Sequence, residues 1–114
     1  MKYAFLLYGD EADNIEPTSP DFPKLMGDYM AFGEEAGERI VSGEPLELSS
    51  TATTVKVRDG AATTTDGPFA ETKEQLGGFY VLECENLDEA LSWAAKIPAA
   101  WNGHVEVRPI PNYG

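Results

Sequence analysis

The chain has 114 residues, 42% hydrophobic and 11% aromatic, the length and make-up of one folded domain (residues 1–114) rather than of two cores or a disordered chain. Eight basic residues against 20 acids leave a net charge of −12, which excludes a nucleic-acid backbone or an anionic membrane as partner, since both demand surplus Lys and Arg. One Cys and one His are too few for a disulfide or a structural zinc site, and the apolar run Tyr3–Tyr8 is too short for a signal segment or a membrane span; a cytoplasmic protein with no metal or cofactor is expected.

In chain order, Lys2–Tyr8 is a strand apolar on both faces, with Tyr3, Phe5 and Leu7 on one side and Ala4, Leu6 and Tyr8 on the other. Asp10–Pro20 is an acidic loop. Ser19 and Pro20 then open a helix whose stripe is Phe22, Leu25, Tyr29, Phe32 and Ala36, stopped by Gly37. Glu38–Ser42 forms a short strand broken by Gly43-Glu44-Pro45. Thr53–Arg58 and Ala61–Thr65 flank Asp59-Gly60, a strong hairpin signal. Phe79–Glu85 is the next strand, opened by Gly77-Gly78. Asn86 caps a second helix, with Glu89 as in a capping box and Leu87, Ala90, Leu91, Ala94 and Ile97 as its buried stripe; Pro98 ends it. His104–Ile110 is the last strand, with Val105 and Val107 on one face and Glu106, Arg108 and Ile110 on the other.

The order β-α-β, hairpin, β-α-β is that of an α+β, ferredoxin-like split βαβ fold with an inserted β-hairpin and both helices on one side of an antiparallel sheet. Two helices cover one face only. The second apolar face of the first strand then requires another cover, and in so short a chain a homodimer with sheets facing each other is predicted.

Nucleophile motifs are absent. There is no Gly-x-Ser-x-Gly elbow and no glycine-rich phosphate loop, and Cys84 lies mid-strand, where a thiol is inert. A calcium loop starting at Asp10 fails because Ala12 and Ile15 stand where a ligand and a glycine belong. His104, at the edge of the last strand, is the sole histidine. Arg108 either grips a carboxylate in a space between dimer sheets or forms a plain ion pair with Glu83, Glu85 or Glu106. The densest polar stretch surrounds the turn Asp66-Gly67-Pro68-Phe69. It is a rigid corner, or it is the rim of a ligand pocket on which Asp66, Glu71 and Lys73 are the catalytic candidates. In the pocket reading Asp66 and Arg108 bind ligand, and Tyr8 and Tyr80 supply aromatic walls.

Thr65-Asp66-Gly67-Pro68-Phe69-Ala70-Glu71-Thr72-Lys73-Glu74, followed by Leu76-Gly77-Gly78-Phe79-Tyr80, resembles the DGPF subgroup of the YCII-related proteins. Ala90, Trp93-Ala94, Ile97-Pro98 and Val105-Glu106-Val107-Arg108-Pro109 extend the resemblance over nearly the whole chain. It implies a bacterial protein with a dimeric α+β barrel. It implies no particular reaction. The His in the first helix and the Asp before the helix-ending Pro, the candidates for activity in YciI-like members, have no counterpart: Pro20–Ala36 holds no His, and Ile97 precedes Pro98. Two functions follow from the resemblance and the residues together. One is binding of, or action on, a small molecule in a cleft at the dimer interface. The other is an accessory module for a sigma factor in transcription initiation, acting through protein contacts with an exposed Trp93 or Trp101 as anchor.

Overall fold

Lys2–Gly9 forms strand β1, and its alternation sets the layering: Tyr3, Phe5 and Leu7 are buried, whereas Ala4, Leu6 and Tyr8 stay half-buried. The computed structural model describes residues 1–114. β1 pairs antiparallel with β5 (Gln75–Glu83) on one side and with β6 (His104–Pro109) on the other, and β2 (Ile40–Pro45) pairs antiparallel with the far edge of β5. The sheet order is therefore β2-β5-β1-β6. Helices α1 (Phe22–Ala36) and α2 (Leu87–Ala94) both pack on the Tyr3–Phe5–Leu7 side, where they meet Leu82 and Cys84 of the β5 segment. Phe32 and Ala36 come from α1; Ala90, Trp93, Ala94 and Ile97 come from α2 and its exit. One-sided helices and this strand order agree with the ferredoxin-like arrangement. No helix is long and apolar enough to cross a membrane.

Several boundaries differ from those expected, each for a local reason. α1 starts at Phe22, not Pro20, because Pro23 fits only the first turn, where its missing N–H is not needed; the Ser19 hydroxyl instead accepts from the Asp21 amide at 3.2 Å. The loop after β1 holds a short 3-10 turn, Glu11–Asp13, capped by Asp10 Oδ1 accepting from the Ala12 amide at 2.9 Å. Gly43-Glu44-Pro45 does not break β2 but completes it, since an edge strand tolerates a proline; Gly37–Arg39 precedes it as a 3-10 turn. Gly77 and Gly78 lie inside β5 rather than before it, beside a bulge opposite Leu7 and Tyr8. α2 ends at Ala94, and Pro98 caps a short helix α3 (Ala99–Asn102) instead of only closing the previous one.

The hairpin β3 (Thr53–Arg58) and β4 (Ala61–Asp66) forms where Asp59-Gly60 places it. Asp59 and Gly60 take φ of 51° and 77°, as a tight two-residue turn requires. It is a separate two-stranded sheet, not a part of the main one.

Candidate functional site

Between α1 and the β2–β5 side of the sheet lies a mostly apolar cavity of about 310 Å³. α1 contributes Met26 and Tyr29, β1 Leu7, β2 Gly43 to Pro45, and β5 Gly77 to Tyr80. A glycine makes the room. Gly43 stands opposite Tyr80 in the ladder, and a Cβ there would come within 2.6 Å of Tyr80 Cδ1. With that side chain missing, the Tyr80 ring lies across β2, its other side packed on Phe32 with ring centroids 5.1 Å apart.

Burial pushes Tyr29 and Tyr80 above the ordinary tyrosine value of 10.0. For Tyr29 the neighbouring Tyr80 adds to the rise, and the backbone of Ala99 opposes it. A phenol is protonated at neutral pH even at the ordinary value, so Tyr29 and Tyr80 bring two neutral polar groups to a lining that is otherwise mostly apolar, the composition expected of a small-molecule pocket.

An adjoining cleft of about 240 Å³ shares Leu7, Tyr29 and Gly77 and opens past the end of β1. Asp10 to Ile15 form one side of it, Leu46 to Leu48 another. The two loops are joined by Glu11, whose Oε2 accepts from the Ser49 amide at 2.6 Å and whose Oε1 accepts from the Ser49 hydroxyl at 2.6 Å. On the sheet face away from the helices, Tyr8 stacks on His104 with ring centroids 4.9 Å apart and planes 9° from parallel. His104 Nδ1 meets the Glu74 carboxylate.

The residues singled out from the sequence are dispersed over this frame. Tyr80 lines the cavity and Tyr8 the adjoining cleft. By the β1–β5 register they lie on opposite faces of the sheet, because Tyr80 pairs with buried Phe5. Arg108 is exposed and pairs with Glu106 at 2.9 Å, the plainer of the two arrangements expected for it. Asp66 and Glu71 line an open depression with Ser49, Pro68, Thr72 and Gln75; Lys73 is exposed outside it. Trp93 is not available as an exposed anchor: it is buried edge-on to Phe32, with Arg39 and Lys96 over its ring. Trp101 is exposed, and its indole N–H donates to the Ala95 carbonyl at 3.0 Å. Tyr29, Gly43 and Glu11 were missed as site residues. Tyr29 sits on the apolar stripe of α1 and so passes for core, and no local pattern announces a glycine that only a cross-strand ring requires.

Three comparisons bear on kinship. The model of the YCII-related domain matches residues 1–113. An uncharacterised protein of Rhizobium meliloti (strain 1021) is 38% identical over 117 residues, spanning 99% of this chain and 94% of that protein. Among solved structures, the 5-chloro-2-hydroxyhydroquinone dehydrochlorinase TftG of Burkholderia phenoliruptrix AC1100, in complex with 2,5-dihydroxybenzoquinone, superposes with a TM-score of 0.49 at 17% identity, over 97% of this chain and 94% of that one. On the family match and the Rhizobium relative, the chain belongs to the YCII-related family.

Proposed function

We propose that this YCII-related protein is a cytoplasmic homodimer that binds an uncharged small molecule in the cavity between α1 and the β2–β5 side of the sheet. One observation carries the site: two partly buried phenols, Tyr29 and Tyr80, border an otherwise mostly apolar space of about 310 Å³. Protonated phenols donate to a neutral acceptor such as a carbonyl. A net charge of −12 repels an anionic ligand, which favours the same class. Tyr8 remains a wall of the adjoining cleft through which the ligand enters. The turn Asp66-Gly67-Pro68-Phe69 supports placement in the DGPF subgroup. The half-buried outer residues Ala4, Leu6, Phe79 and Val81 support a second sheet packed face to face, which would close the barrel near Arg108 and Glu106.

The test is NMR with the Met methyl and Tyr ring carbons labelled, during titration with uncharged planar carbonyl compounds and with matched carboxylates. Binding of the neutral set centred on Met26, Tyr29 and Tyr80 is expected, weakened about tenfold by Tyr80→Phe through the loss of one hydrogen bond. Shifts centred instead on the backbone of Asp66 to Lys73 would move the site to the turn and make Asp66, Glu71 and Lys73 the ligand-contacting groups. Carboxylates binding more tightly than their neutral counterparts would refute the charge argument.

A further inference from the structure

The β3–β4 ribbon is an arm that nothing in the chain covers. Its strands pair only with each other, and every residue in them except Thr54 is exposed. A two-stranded ribbon alone is at best marginal in water. One side of this ribbon is apolar as well: Val55 and Val57 share a face with Ala62, across the ladder from Thr64 and Ala62, and are 62% and 57% exposed. Just beyond the arm, Phe69 is 91% exposed on the stiff turn after Asp66. A side chain of that size left wholly in water is the kind of group that anchors an interface.

Charge narrows the occupant. Lys56 and Arg58 against Asp59 leave residues 53–65 at +1, and the rest of the chain at −13. The arm is thus the segment that an acidic body attracts, while two acidic bodies repel each other elsewhere. The chain supplies both members of that pair, so two copies related by a twofold axis satisfy each other's arms.

Area points the same way. The chain exposes 8100 Å². A compact monomer of 12.4 kDa exposes about 6,100 Å². The difference of about 2,000 Å² falls within what each chain of an obligate homodimer buries, about 1,000–2,500 Å². The radius of gyration, 16.1 Å, likewise exceeds the value of about 13 Å for a compact chain of this length.

We infer that the β3–β4 arm is a clasp for a second copy of this chain: Val55, Val57 and Phe69 bury against that copy, and the arm's positive charge meets the open sheet face rimmed by Glu44, Glu83 and Glu106. The clasp rests on the homodimer reading above and adds which element makes the contact. It also explains how an apolar, two-stranded ribbon persists in so acidic a protein. The ribbon is the outermost strand pair of one copy and part of the packed interior of the pair.

Sedimentation equilibrium and light scattering on four full-length proteins test it: wild type, Val55→Asp with Val57→Asp, Lys56→Glu with Arg58→Glu, and Phe69→Ala. All the substituted side chains are exposed within one chain, and unchanged circular dichroism checks that each variant folds. Wild type is expected to be a dimer at micromolar concentration. The double Val variant should raise the dimer dissociation constant about 100-fold or more, and Phe69→Ala about tenfold. Lys56→Glu with Arg58→Glu should weaken the dimer most at low salt, where repulsion is unscreened. Arm amides should exchange slowly in the dimer and fast on dilution. A monomeric wild type overturns the homodimer and the clasp together. A wild-type dimer unmoved by the Val, Phe69 and charge variants overturns the clasp alone and leaves the sheet-face dimer standing. If the Val variant fails to fold, the charge variant and the exchange of arm amides decide.

Discussion

Two glycines meet the same substitution, Gly→Ala, with opposite consequences, because the atoms that oppose the new methyl differ. At Gly103, between α3 and β6, a Cβ would sit 2.0 Å from the Tyr8 carbonyl oxygen and 3.0 Å from Gly9 Cα. Both are backbone of the central strand, so no rotamer change relieves the clash. The start of β6 must move off β1 by more than an ångström, which breaks the pairing of Tyr8 with His104. Overpacking costs about 1–3 kcal/mol and a lost ladder hydrogen bond about 0.5–1.5 kcal/mol more, so Gly103→Ala should destabilise by about 1.5–4.5 kcal/mol. At Gly43 the nearest atoms are Cδ1 and Cε1 of Tyr80, at 2.6 Å and 3.0 Å, a ring that can shift, and the Phe79 carbonyl oxygen at 3.2 Å need give by only a few tenths of an ångström. The cost there is about 1 kcal/mol, partly offset because a strand glycine is itself unfavourable by about 0.5–1 kcal/mol. Gly43→Ala should therefore remain close to wild type in stability and yet bind ligand poorly, since the ring it displaces is a wall of the cavity. Urea unfolding followed by Trp fluorescence, at one protein concentration so that any dimer contributes equally, measures both values. Equal destabilisation by the two substitutions, or a Gly103→Ala protein within about 1 kcal/mol of wild type, refutes the distinction between backbone and side-chain opposition.

Three further outcomes are expected. Because burial raises the Tyr29 and Tyr80 pKa values in the folded chain, their contribution to stability is complete below the unfolded value of 10.0 and is lost as pH rises through the folded values. The urea midpoint should fall as pH rises above about 10, and Tyr29→Phe with Tyr80→Phe should flatten that fall; the difference in tyrosinate absorbance between wild type and this variant follows the two groups. Asn86 Oδ1 caps α2 by accepting from the Glu89 amide at 2.9 Å, so Asn86→Ala should cost about 1 kcal/mol in urea unfolding while leaving ligand affinity unchanged. Glu11→Ala removes both bonds that hold Ser49, so amide exchange at Ser49 should quicken about tenfold or more while exchange in β1 and β5 stays slow.

The elements legible in the sequence are those whose signal is local. Asp59-Gly60 fixes its hairpin because only a few residues accept two successive positive φ values, and Asn86 with Glu89 fixes the start of α2 because a cap lies within one turn. The double-sided apolarity of β1 likewise foretells a central strand. What escaped depends on partners far along the chain. Gly43 and Gly78 look like breakers in isolation, but opposite Tyr80 and Pro45 they are places where a ring or a strand must come close. Glu11 looks like one acid among many until its carboxylate meets Ser49, 38 positions away. Arg108 was legible to the extent that its neighbour Glu106, two residues away on the same strand face, satisfies it.

Tyr29 falls on the apolar stripe of α1 at the spacing of Phe22, Leu25 and Phe32, so its phenol reads as core until the strands opposite it prove to carry Gly43, Gly77 and Gly78. A tyrosine on a core stripe is costly unless its hydroxyl finds a partner. Here the backbone of Ala99 reaches the Tyr29 phenol, and a second phenol, Tyr80 of β5, lines the same cavity. Phenylalanine at both positions would fill the same walls with no polar atom to satisfy. Replacing both by Phe therefore separates the alternatives. If the hydroxyls serve only the fold, the double variant loses stability at neutral pH; if they serve a ligand, it keeps or gains stability and loses binding.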